Sequence, residues 1–153
     1  MNFLLDSNIV SYALKKNITI NNKLKELSFL GSEIFISCIT YYEIKRGLIS
    51  LNATKQLVDF HVFCNDYPVL FLDDLEIIEK SCKIHAKLKA KGTPIQDADI
   101  LIAATAIVRD LILVGSAIAE RCCKQFAVTV IKIFCFQNIY TTIGITNLTT
   151  TTP

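Results

Sequence analysis

The run Phe3-Leu4-Leu5-Asp6-Ser7-Asn8-Ile9-Val10 decides how the rest of the chain is read. Three apolar residues stop at an acid, and beyond it Ile9, Val10, Ala13 and Leu14 recur at helical spacing. Strand, acidic turn and helix follow from that pattern. The unit returns at Glu33 to Ser37, a β-prone run, followed by Ile39 to Leu48 with helix-like spacing that is expected to end at Gly47. From Leu51 to Lys91 the pattern is mostly helical, interrupted by a third strand expected over Tyr67 to Leu72. Thr93-Pro94 is expected to open a helix whose buried stripe is Ile100, Ala103, Ala104, Ile107 and Val108, with a fourth strand over Leu111 to Val114. Alternating strands and helices predict an α/β fold: a parallel sheet of four to five strands flanked by helices on both faces.

Length and composition set the limits of this reading. A chain of 153 residues, 52% hydrophobic, supplies one compact domain with a single sizeable core. Residues 1–140 are assigned to that domain. Beyond Arg121 there is no carboxylate except at the chain terminus, and Ala127 to Phe136 is expected to add an edge strand. Thr141 to Pro153 is expected to be a poorly ordered tail. With 16 basic against 14 acidic side chains, the formal charge is only +2, which excludes the broad cationic field of an architectural DNA-binding protein. Any nucleic acid must be met locally.

Six cysteines form no Cys-x-x-Cys pair, and no secretory segment is read at the N-terminus, so a cytoplasmic protein with free, mostly buried thiols is expected. The longest apolar run, Ile100 to Ala119, carries Arg109 and Asp110 in its middle and does not read as a membrane span. His61 and His85 have no partner pattern for metal binding, and zinc is a poor candidate.

In an open parallel sheet, ligands bind beyond the carboxyl ends of the strands. Asp6 stands at such an end, Glu43 lies in the first turns of the helix after the second strand, and Asp99 lies in the first turns of the helix before the fourth. Gathered carboxylates repel unless a cation compensates them, and magnesium or manganese suits an all-oxygen donor set. Each acid also has an ordinary explanation. Asp6 is a good helix N-cap, Thr40 and Glu43 have the spacing of a capping box, and Asp97 reads as a further N-cap or a solvated neighbour. Asp97 and Asp99 are about 200° apart around a helix and cannot both face one site. Lys87, Lys89 and Lys91 read as a solvated helix end beside its negative dipole.

Three stretches in order, Phe3 to Ile9, Ile36 to Gly47, and Gly92 to Ala104, resemble the successive motifs of PIN-domain ribonucleases of the VapC type, toxins of VapBC toxin–antitoxin pairs. The resemblance covers roughly the first 115 residues. It implies Asp6, Glu43 and Asp99 as catalytic and metal-binding acids, choosing Asp99 over Asp97, with Ser7 supporting Asp6. It implies hydrolysis of an RNA phosphodiester by water activated at Mg2+ or Mn2+. It also implies a cognate antitoxin protein as partner, RNA as substrate, no membrane, and a homodimer.

One part departs from the family. Where the family carries Thr and then an acid or amide after the fourth strand, this chain has Gly115-Ser116-Ala117. Alanine cannot ligate, so Ser116 is left as a supporting hydroxyl and Glu120, the last carboxylate side chain, is the candidate replacement acid on that side, with a surface helix position as its equally good plain reading. A catalytically impaired module that binds antitoxin or RNA without cleavage is therefore the alternative. An Asp-based phosphohydrolase ranks last, because Asn8 stands where a second acid is wanted.

Overall fold

The computed structural model describes residues 1–115 and 130–132. The chain begins with strand β1 (Phe3–Leu5), helix α1 (Ser7–Leu14) and helix α2 (Ile18–Phe29), then β2 (Ile34–Ser37), α3 (Cys38–Ser50) and α4 (Thr54–Asp66). It continues through β3 (Val69–Leu70), α5 (Leu75–Ala90), α6 (Asp97–Val108), β4 (Ile112–Gly115) and β5 (Val130–Lys132). The five strands form one sheet in the order β3-β2-β1-β4-β5, and every pairing is parallel. The parallel α/β expectation holds, and β5 falls within the edge strand expected at Ala127 to Phe136. Thr141 to Pro153 lies outside the described residues.

Alternation along the strands sorts the core into two layers. Phe3, Leu5, Ile34, Ile36 and Val114 pack with Ile9, Val10, Leu24 and Phe60 on the face covered by α1, α2 and α4. Leu4 and Leu113, which point the other way, pack with Ile77, Ile84, Leu88, Ile102 and Ala103 from α5 and α6. Side chains two apart share a face and neighbours oppose, so a three-residue strand serves both layers. β1 sits in the middle of the sheet, which is why Phe3, Leu4 and Leu5 are all buried.

Several boundaries differ from expectation. α3 runs past Gly47 to Ser50 and is closed by Leu51, with left-handed Asn52 turning the chain. Gly47 is an ordinary helical residue there, because Leu48 still packs against the core and the helix has more to bury. Pro94 does not open α6. The segment stays outside the helix through Gln96, which is extended, while Ile95 packs on the second core layer, and Gln96, with no side-chain capping bond, precedes the first helical residue Asp97. Asp97 is therefore not the N-cap. The third strand shrinks to Val69–Leu70, and α2, buried through Ile20, Leu24 and Leu27, occupies a stretch to which no element is assigned from sequence. The thiols are free but not mostly buried among the described residues: Cys38 and Cys64 are half-buried, and Cys82 is exposed on the face of α5 opposite Ile77, Ile84 and Leu88.

Among the described residues no helix is long and apolar enough to cross a membrane. The packing makes a graded prediction. Phe60→Ala, which empties a wholly buried position of the first layer, should cost about 3–5 kcal/mol in urea unfolding. Arg109→Ala, which removes the exposed ion pair with Asp73, should cost under about 1 kcal/mol. Equal losses would contradict the layered core.

Candidate active site

The strand order places a switch point between β1 and β4. The chain runs outward from β1 to β2 and β3, then returns to the other side of β1 for β4. At such a point the connections diverge and leave a crevice at the carboxyl ends. Asp6 follows β1 directly and is only 5% exposed. Its backbone N–H donates to the Val114 carbonyl at 2.9 Å, which ties it to β4.

Asp6 does cap α1, as the plain reading of the sequence allows. Its Oδ1 accepts from the Ser7 backbone N–H at 2.7 Å and from the Ser7 hydroxyl at 3.2 Å, and Oδ2 has a longer contact with Asn8 Nδ2 at 3.4 Å. These donors hold the carboxylate in one orientation beside the positive end of a helix, where a negative charge is favoured. Capping and site formation are compatible here.

Glu43 is not part of a capping box. α3 starts at Cys38, capped by Ser37, whose Oγ accepts from the Thr40 backbone N–H at 2.9 Å. Glu43 therefore lies a turn further along and is half-buried. The Ser37-x-x-Thr40 spacing after a β-prone run was the cap signal available in the sequence.

Asp99 stands in the first turn of α6. Its carboxyl is pushed up from 3.8 to about 6, first by burial, then by the charges of Asp6 and Glu43. The helix N-terminus favours its charged form, but burial and two like charges outweigh that. This coupling brings the three acids from distant parts of the chain into one electrostatic neighbourhood. Asp97 faces elsewhere, with Oδ1 lying 3.6 Å from His85 Nδ1 at an exposed position. His61 is also exposed. Ser116, Ala117 and Glu120 lie outside the described residues.

Among the described residues no group of three or more His, Cys, Asp or Glu side chains is arranged to hold a metal ion. The donor chemistry nevertheless suits a hard divalent cation: all three groups are carboxylates, and their mutual repulsion is what a cation relieves. Magnesium keeps several waters and needs only one or two direct carboxylates, so a closed protein cage is not required.

Beside the acids, α1, α3 and α4 enclose an apolar groove of about 340 Å³. Leu14, Ile44, Leu48 and Leu51 line it, with Ser11 and Glu43 among its polar walls. One turn further, Lys45 Nζ is 2.9 Å from the Tyr41 hydroxyl, and the Arg46 guanidinium lies 5.1 Å from the centre of the exposed Tyr42 ring.

A parallel sheet with an acid at its switch point and two more beside it defines a class, and comparison identifies it. The PIN domain family model matches residues 3–117, and the chain belongs to that family. It is 38% identical over 88 residues to Ribonuclease VapC1 of Methanocaldococcus jannaschii, a match spanning 58% of this chain and 61% of the relative. It is 31% identical over 128 residues to Ribonuclease VapC2 of Rickettsia felis, spanning 78% and 90%. Among solved structures, DNA-bound VapBC from Salmonella typhimurium superposes with a TM-score of 0.75 at 26% identity, covering 86% of this chain and 98% of the other.

The raised Asp99 carboxyl has a measurable consequence. Between 3.8 and about 6 the folded chain holds a proton that the unfolded chain has released, so this group's contribution to stability falls as pH rises through that window. In chelator, Asp99→Asn should melt higher than the parent above pH 6, by roughly 2–4 °C, with the gap closing towards pH 4. Magnesium should raise the parent's melting temperature more than the variant's. A gap that stays constant with pH would show that Asp99 does not carry this charge burden.

Proposed function

We propose that this chain is a metal-dependent endoribonuclease, the toxin of a toxin–antitoxin pair, in which Asp6, Glu43 and Asp99 hold Mg2+ or Mn2+ at the switch point of the sheet. The observation that carries this reading is the electrostatic coupling of Asp99 to Asp6 and Glu43. Membership of the PIN domain family and two relatives that are ribonucleases supply its chemistry. A bound divalent cation supplies charge neutralisation at the phosphate and lowers the pKa of water.

The chain's own groups do the rest by position. Ser7 holds Asp6 through two donors to one oxygen, leaving the carboxylate little freedom to rotate. Glu43 and Asp99 approach from two helices, so substrate reaches them from above the strand ends. RNA phosphate would lie against this rim, near Lys45 and Arg46 of α3. Ser116 and Glu120 remain in the proposal as the hydroxyl and acid on the β4 side.

The antitoxin enters by analogy with the VapBC complex. The apolar groove between α1, α3 and α4 fits a segment with apolar side chains, and Glu43 in its wall gives a basic side chain of that segment a partner. A homodimer acting on RNA in the cytoplasm completes the proposal, with Phe71 and Leu75 as exposed apolar residues available for contact between copies. A module that binds without cutting is the less favoured reading, since both relatives are ribonucleases.

Full-length protein with Mg2+ or Mn2+ should cleave structured RNA, and excess chelator should stop it. Asp6→Asn, which keeps the shape and removes the charge, should lower the cleavage rate by more than about a hundredfold. Unchanged cleavage in that variant would remove Asp6 from the site.

A further inference from the structure

The peptide that joins Leu5 to Asp6 is held at both of its polar ends. Its N–H, on Asp6, donates to the Val114 carbonyl of β4 at 2.9 Å. Its carbonyl, on Leu5, accepts from the Thr40 hydroxyl of α3 at 3.3 Å. β1 pairs with β2 as far as Leu5 opposite Ile36, and β2 ends at Ser37 and turns into α3, so the Thr40 hydroxyl reaches the Leu5 carbonyl in addition to the ladder.

Thr40 is wholly buried, and its hydroxyl has a defined direction. The Ser37 hydroxyl accepts from the Thr40 N–H at 2.9 Å and donates to Thr40 Oγ1 at 3.0 Å, which leaves the Thr40 proton for Leu5. The chain of donors runs Ser37 to Thr40 to Leu5, one way. A helix cap needs only the bond from the Thr40 N–H to Ser37. The link onward to β1 is additional to capping.

We infer that the Thr40 hydroxyl is a positioning residue for the cation, setting the spacing between the carboxylates of Asp6 and Glu43. The inference rests on the proposed metal site. The peptide plane before Asp6 fixes the direction of its side chain, and Glu43 is three residues from Thr40, one turn along the same helix. This hydrogen bond thereby adds, to the β1–β2 ladder and the shared core, a direct link from the helix of one acid to the last carbonyl of the strand that carries the other. Without it, the first turns of α3 are free to adjust slightly against the end of β1 while the ladder, the cap and the apolar contacts persist. Side chains that orient ligands in this way typically govern affinity by about 10- to 100-fold.

The test is Mn2+ binding to the full-length protein by calorimetry, beside thermal melting in chelator. Thr40→Val keeps the volume and loses the proton, Thr40→Ser keeps the proton, and Ser81→Ala removes a buried hydroxyl that donates to the Ile77 carbonyl within α5. Thr40→Val should weaken Mn2+ by about tenfold or more, Thr40→Ser should restore affinity to within about threefold of the parent, and Ser81→Ala should lower the melting temperature without changing affinity. If Thr40→Val does not fold, Thr40→Ala is compared with Thr40→Ser by the same titration. Parental Mn2+ affinity in the valine or alanine variant overturns the inference, as does failure of serine to rescue. Should Asp6→Asn bind Mn2+ as the parent does, the metal assignment itself falls, an outcome distinct from any result at Thr40.

Discussion

Hydrogen bonding of β1 on both edges is the constraint on which the molecule depends. Three residues pair with β2 on one side and β4 on the other, and each contributes a buried side chain to one of two core layers. So short a strand has no slack. A slip of one residue would move Phe3 and Leu5 into the layer of Leu4 and carry Asp6 off the edge of the sheet. The apolar alternation that builds the core therefore also aims the acid. The α1 cap reinforces it, because Asp6 satisfies the Ser7 amide only where the strand has ended.

The cost of the arrangement is electrostatic. Asp99 is half-buried near two like charges, and its carboxyl is correspondingly reluctant to ionise. The fold tolerates this because each acid is borne by a different element, one following a strand and two on helices, and each element is anchored by its own burial. Ile9 and Val10 hold α1, Ile44 and the buried Ser37–Thr40 pair hold α3, and the run from Ile100 to Ala106 holds α6. Like charges that core packing forces together are a common mark of functional sites, since stability alone gives no reason to assemble them.

What could be read in the chain follows from how local each signal is. Strand, acid and helix at Phe3 to Val10 lie within eight consecutive residues, and at Ile34 to Ile44 a strand and a helix bearing an acid lie within eleven. The parallel sheet follows from their repetition. Asp99 rather than Asp97 emerges from the family pattern, and the structure adds the physical reason, a rotation that sends Asp97 to His85. Signals that depend on distant packing are harder to read. α2 presents three buried positions among polar residues, too sparse a stripe to stand out, and the start of α6 is set by where Ile95 must be buried rather than by Pro94. Thr40 is the clearest case. Its spacing to Glu43 suggests a local cap, whereas its hydroxyl serves a carbonyl 35 residues away.

Glu43 belongs to two environments, and this bears on how such a site can be controlled. Its carboxylate charge is felt at Asp99, and its side chain forms part of the wall of the apolar groove. On the proposed reading, a cation among the acids and a basic side chain from a groove occupant relieve the same repulsion. The two then compete for one electrostatic role, even where their atoms do not overlap. A partner seated in the groove needs no contact with Asp6 to silence the site: neutralising Glu43 alone removes part of what draws the cation in. On the same reading, the groove would supply apolar area for affinity, and Glu43 in its wall would supply the link to catalysis.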